Sequence, residues 1–178
     1  VTGHSQGACH VGWISKRFAV QRAIMFSGTN DITGSKHGWP GPSPAMYLTV
    51  PGATPASRLF GFGELNGGEC DTWRPLWDTL NMTGPFLVDE GKAAVPPSPG
   101  AHMLCSNRSV HDGGVHGGPV QDIATPLAPD GTPIYASIWR YLLTSSVSDE
   151  TTQDATVSVD KPNASNCDCS HPLPPLPP

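Results

Sequence analysis

Charge is scarce in this chain. Only 10 Lys and Arg and 15 Asp and Glu stand among 178 residues, and charged residues make up 14%, well below the usual share of about a quarter. The basic residues form no cluster and the net charge is −5. That leaves no electrostatic footprint for nucleic acid or an anionic membrane surface. Long apolar runs are also missing, and none approaches the roughly 20 residues that span a bilayer. No charged segment followed by an apolar stretch marks a signal peptide. The chain opens on Val1, directly in what reads as a strand end. It therefore reads as a fragment or a processed product.

Metal patterns are absent as well. There are five cysteines, with no CxxC pair and no Cys/His spacing of a zinc site. Cys167-Asp168-Cys169 lies in a Pro-rich tail and makes a poor metal site. The plain reading of Cys9, Cys70 and Cys105 is a set of small thiols, although a Cys70–Cys105 disulfide would suit an oxidising compartment. Three sequons, at Asn81, Asn107 and Asn163, are compatible with secretion.

Turn formers are abundant instead, with 20 Gly and 20 Pro, and hydrophobic residues reach only 37%. The length suits one domain. Val11, Ile14 and Phe18 fall at helical spacing within residues 8–18. The apolar run at 22–27 reads as a buried parallel strand. Residues 30–57 read as a long surface excursion that covers a site. A second strand is expected at 58–63, followed by a polar loop from Glu64 to Asp71. A helix is expected over 73–80, with Pro75 acceptable only near its first turn. Short strands at 86–88 and 102–104 and a helix at 134–143 complete the pattern. This alternation implies an α/β fold, a mainly parallel sheet with flanking helices. Residues 1–143 form the folded domain. From Thr144 the Ser/Thr/Asp-rich composition reads as a disordered tail. Its final prolines fit a polyproline II ligand for an SH3-like or WW-like partner, though a passive tail is the plainer reading.

One motif carries chemistry. Gly3-His4-Ser5-Gln6-Gly7 fits Gly-x-Ser-x-Gly, the strand-to-helix turn that lifts a serine hydroxyl above a sheet. Flanking glycines relieve the crowding where strand and helix cross. The following N–H, that of Gln6, sits at a helix N-terminus and can donate to an oxyanion. A serine needs a base. His116, in a run of small residues before the last helix, is the first candidate, with His111 and His102 as alternatives. The base needs an acid to hold its tautomer. Asp71 ranks first, on the loop after the second strand. Glu69, Glu64 and, after the earlier strand, Asp31 are the alternatives.

Val1 to Ala8, with the segments at 22–31, 58–63 and 115–143, resembles the α/β-hydrolase superfamily of serine esterases and lipases from the nucleophile elbow onward. The resemblance implies a Ser/acid/His triad, hydrolysis of a small-molecule ester through an acyl-enzyme, no cofactor and no metal. It places the second oxyanion donor in a part that would precede Val1. Two rival readings remain: a non-catalytic hydrolase-like binding domain, and an acyltransferase using the same triad.

Overall fold

The computed structural model describes residues 1–33, 43–82, 84–89, 100–108, 114–121 and 123–147. Strand β1 (Thr2–His4) turns at Ser5 into helix α1 (Gln6–Arg17), and β2 (Ala23–Phe26) follows. A two-residue pair, β3 (Ile32–Thr33) and β4 (Ser43–Pro44), leads to the short helix α2 (Met46–Thr49). Next come β5 (Leu59–Glu64), α3 (Glu69–Thr79), β6 (Phe86–Asp89) and β7 (Met103–Ser106). A single helical turn, α4 (Gly114–Gly117), and helix α5 (Ala136–Thr144) close the described chain.

Five strands form one sheet in the order β1-β2-β5-β7-β6. All its pairings are parallel. The expected α/β class is therefore present, a parallel sheet with flanking helices. The C-terminal ends of its strands all lie along one edge, and Ser5 sits there, just past β1.

The period-2 alternation of the strands sorts the core into two clusters. Ala23, Met25, Leu59, Met103 and Cys105 face one side, where α1, α2 and α3 supply Ala8, Val11, Leu48, Trp73, Leu76 and Trp77. Ile24, Phe26, Phe60, Phe62 and Leu104 face the other, against Tyr135, Ile138 and Leu142 at α5. The excursion at 30–57 is thus more than a surface loop, because Leu48 is fully buried.

In β5, Leu-Phe-Gly-Phe-Gly-Glu, phenylalanines and glycines alternate across the sheet. Phe60 and Phe62 pack toward α5, while Gly61 and Gly63 open the other face. A Cβ at Gly61 would overlap the indole of Trp77, and one at Gly63 the indole of Trp73. These two glycines let α3 settle directly on the sheet. A Cys70–Cys105 disulfide adds a covalent tie between α3 and β7, closing a separation of 35 residues. Such a loop contributes about 4 kcal/mol through the unfolded chain.

Two departures from expectation bear on the site and on the extent of the fold. Helix α3 begins at Glu69, not 73, so Pro75 lies in its interior. Proline has no N–H to give the Asp71 carbonyl, and the buried indoles and disulfide hold the helix despite that loss. The described structure also continues past Leu143: α5 runs through Thr144, and the Arg22 guanidinium donates to Ser145 Oγ at 3.1 Å. Residues 148–178, with the tail prolines, Cys167, Cys169 and the Asn163 sequon, lie outside the described residues.

Gly63→Ala should lower stability by about 1–3 kcal/mol, the usual range for overpacking a filled core. The urea midpoint at constant m-value measures it. An unchanged midpoint would mean that Trp73 is not seated against β5.

Candidate functional site

Ser5 has φ 57° and ψ −121°, a backbone geometry rare for a residue with a side chain. Such a conformation costs about 1–3 kcal/mol and persists only where the surroundings enforce it. Here they do. The Ser5 N–H donates to the Phe26 carbonyl at 2.9 Å, continuing the β1–β2 ladder. The Ser5 carbonyl already accepts from the Ala8 N–H at 2.9 Å, inside α1. The chain must therefore switch from strand to helix within one residue.

Steric room for the switch is made by Gly3, where a Cβ would overlap the Gly7 carbonyl. The expectation for the second motif glycine is corrected: a Cβ at Gly7 meets nothing within 4 Å among the described residues. The close approach falls instead at Gly28, where a Cβ would lie 2.6 Å from the Ala8 Cβ.

The structure brings three of the expected residues into one chain of hydrogen bonds. Ser5 Oγ lies 2.7 Å from His116 Nε2. His116 Nδ1 lies 2.8 Å from Glu69 Oε1. With Nδ1–H donating to the carboxylate, neutral His116 leaves Nε2 bare, so Nε2 accepts from the Ser5 hydroxyl. The His116 side chain is 39% exposed and that of Glu69 19%. The imidazole thus faces the solvent side while the acid lies deeper.

Burial pushes the Glu69 carboxyl above its usual range, and the attraction and hydrogen bond of His116 pull it partway back. Among the described residues, Glu69 Oε2 is buried without a hydrogen-bond partner. The carboxylate therefore relies on a single strong contact.

Asp71, the acid expected first, is not the residue at His116. It lies exposed in the first turn of α3. The expectation took 64–71 as a loop on which Asp71 had the longer reach. On a helix, residues two apart point roughly 200° apart, so a turn that aims Glu69 at His116 aims Asp71 at solvent.

Glu64 is fully buried, but strand parity sends it to the α5 face, where the Tyr135 hydroxyl donates to it. Asp31 accepts from the Tyr47 hydroxyl. Its charge, with burial as the larger cause, helps push the nearby Cys9 thiol up to about 11.

Of the alternative bases, His102 stands at the opposite end of the parallel strands. Its Nδ1–H donates to the Leu59 carbonyl at 2.8 Å, its ring stacks on Phe60, and burial pulls its pKa down. His111 lies outside the described residues.

The segment around His116 is pinned from several sides. The Trp139 indole N–H donates to the Pro119 carbonyl at 2.7 Å, and Thr125 Oγ1 donates to the Gly118 carbonyl at 2.6 Å. The Trp73 ring lies 6.0 Å from the imidazole and donates through Nε1 to Asn30. The Gln6 amide is in the first turn of α1, where helix N–H groups have no intrahelical acceptor. It lies next to Ser5, where a donor to a developing oxyanion would stand.

His4 is the site residue that the sequence reading passed over. Its Nε2–H donates to the His116 carbonyl at 2.7 Å. The signal in sequence was its place between Gly3 and Ser5, which reads equally as an ordinary elbow residue.

Among the described residues, no group of three or more His, Cys, Asp or Glu side chains could hold a metal ion. In that same set, no helix is long and apolar enough to cross a membrane. Comparison with family models, with curated proteins and with solved structures finds no match to this chain.

The raised carboxyl makes a pH prediction. A group whose folded pKa lies above its unfolded value, here 4.5, stabilises the fold below that value and loses this contribution as pH rises through the folded one. The Tm of Glu69→Gln relative to wild type should therefore climb as pH goes from about 4 to 8. Calorimetry across that range checks it. A flat or falling difference would mean that Glu69 is not held above its usual range.

Proposed function

We propose that the chain is a serine hydrolase that cleaves small-molecule carboxylic esters through an acyl-enzyme, on an α/β-hydrolase-type fold. The observation that carries this reading is the unbroken line from Ser5 Oγ through the His116 ring to Glu69 Oε1, at 2.7 and 2.8 Å. A nucleophile, a base and an acid that orients the base stand in the order acyl transfer needs.

In the proposed reaction, Ser5 Oγ attacks the ester carbonyl as its proton passes to His116 Nε2. Glu69 stabilises the imidazolium that forms and holds Nδ1–H toward itself. The negative oxygen of the tetrahedral intermediate lies by the Gln6 N–H, at the positive end of α1. Collapse breaks the bond to the alkoxide, which leaves as an alcohol with the proton from Nε2. Water then attacks the acyl-Ser5 ester, giving up its proton to His116; the bond to Ser5 Oγ breaks, Ser5 takes the proton back from Nε2, and the acid product departs. Ionised Glu69 and neutral His116 are both required. The buried carboxylate with its raised pKa therefore contributes to the acidic limb of activity.

A fluorophosphonate probe should label the chain at Ser5, located by peptide mass spectrometry. Ser5→Ala should abolish both labelling and aryl-ester turnover. Glu69→Gln should lower kcat by about 10³–10⁴-fold, because an amide favours the wrong imidazole tautomer. Asp71→Asn, a change at an exposed position, should stay within about two-fold of wild type. Absence of labelling in the wild-type chain would overturn the reading. The reverse ranking of the two acid variants would return the orienting role to Asp71.

A further inference from the structure

We infer that His4 is a positioning residue for this reaction, holding the main chain of His116 at a fixed distance from Ser5. The inference rests on the hydrolase reading above and adds a fourth side chain to it. The two ring nitrogens of His116 are engaged by Ser5 and Glu69, which set the rotation of the imidazole. Neither contact anchors the backbone from which the ring hangs. That backbone is a single helical turn, Gly114–Gly117, with glycine at both ends and Gly118 after it. One turn is too short to hold its own shape, and glycine raises the cost of ordering it.

His4 supplies an anchor. Its Nε2 lies 2.7 Å from the His116 carbonyl oxygen, and the two rings are 4.9 Å apart at a 45° tilt. A carbonyl only accepts, so His4 Nε2 carries a hydrogen. Both the neutral Nε2–H tautomer and the imidazolium supply it. His4 is itself held by the sheet, as the last residue of β1, in register with Phe26. The next peptide N–H, that of Ser5, donates to the Phe26 carbonyl. The anchor of the base and the nucleophile are thus consecutive residues on one rigid strand end. Drift of His116 away from Ser5 would strain the His4 contact together with the hydrogen bonds to the Gly118 and Pro119 carbonyls. Misplacing a reacting group by about 1 Å costs about 100-fold in rate, so this contact acts on kcat and leaves substrate binding alone.

The test uses the full chain with three changes at one position. His4→Phe keeps a ring and removes the donor. His4→Asn carries an amide too short to reach the carbonyl. His4→Gln places an amide nitrogen near the Nε2 position. Steady-state turnover of an aryl ester is read together with the low-field proton NMR signal of His116 Nδ1–H, which reports the bond to Glu69.

His4→Phe and His4→Asn should lose about 10- to 100-fold in kcat with KM within about two-fold. Their low-field signal should broaden. His4→Gln should recover most of the loss and sharpen the signal. Wild-type kcat in either loss variant, whichever of them folds, overturns the positioning role and leaves the hydrolase reading standing. A loss that His4→Gln does not relieve also overturns it. A wild-type chain that neither labels at Ser5 nor turns over ester overturns both.

Discussion

The indoles of Trp73 and Trp77 rest against the two glycine positions of β5, and the place of Glu69 follows from that contact. Helix α3 can approach the sheet only because residues 61 and 63 have no side chain. Once it does, Trp73, Leu76, Trp77 and Leu80 are all buried on its inner side. Burying large apolar side chains is worth about 1.5–3 kcal/mol each, enough to offset an interior proline. The helix phase is then set, and its first residue, Glu69, faces His116 while its third does not. Cys70, next in the chain, is tied to Cys105 in β7. Glu69 is thus one residue from a covalent anchor in the sheet.

Ser5 is held by a different device. Ser5 keeps an unfavourable backbone conformation because its N–H belongs to the sheet and its carbonyl to α1. His116 comes from a third region, the turn after β7, pinned through the Pro119 and Gly118 carbonyls. Three segments far apart in sequence converge because parallel strands end along one edge, and the loops that leave those ends are neighbours. Ser5 follows β1, Glu69 follows β5 and His116 follows β7.

How much of this was legible in the sequence depended on the kind of signal. Ser5 announces itself because the glycine requirement at position 3 is steric and local. His116 could be chosen by chain order and by its small neighbours. The parallel class could be read from apolar runs separated by helical spacing. Which carboxylate meets His116 could not be read, because that turns on where α3 begins. That boundary is set by tertiary contacts, the Trp/Gly seating and the disulfide, and not by any capping residue: Gly68 precedes the helix and offers no side-chain cap. Reading 64–71 as a loop made Asp71 look free to reach inward. Glu64 was ambiguous for a similar reason, since only the strand register reveals that it faces α5. The Phe/Gly alternation of β5 was in plain view, but its meaning depends on knowing that two tryptophans dock there.

Glu69 and His4 grip the same histidine by different handles. Glu69 binds the ring at Nδ1, and its contribution depends on charge: burial works against the carboxylate, and its one good partner is the group it orients. His4 binds the backbone carbonyl through a contact that needs no net charge. Rotation of the imidazole about its side-chain bonds is restrained by the first, and translation of the residue by the second. The 2.7 Å contact to Ser5 thus stands beside restraints anchored at separate points of one sheet, β1 through His4 and β5–β7 through α3, and beside the hydrogen bonds to the Gly118 and Pro119 carbonyls.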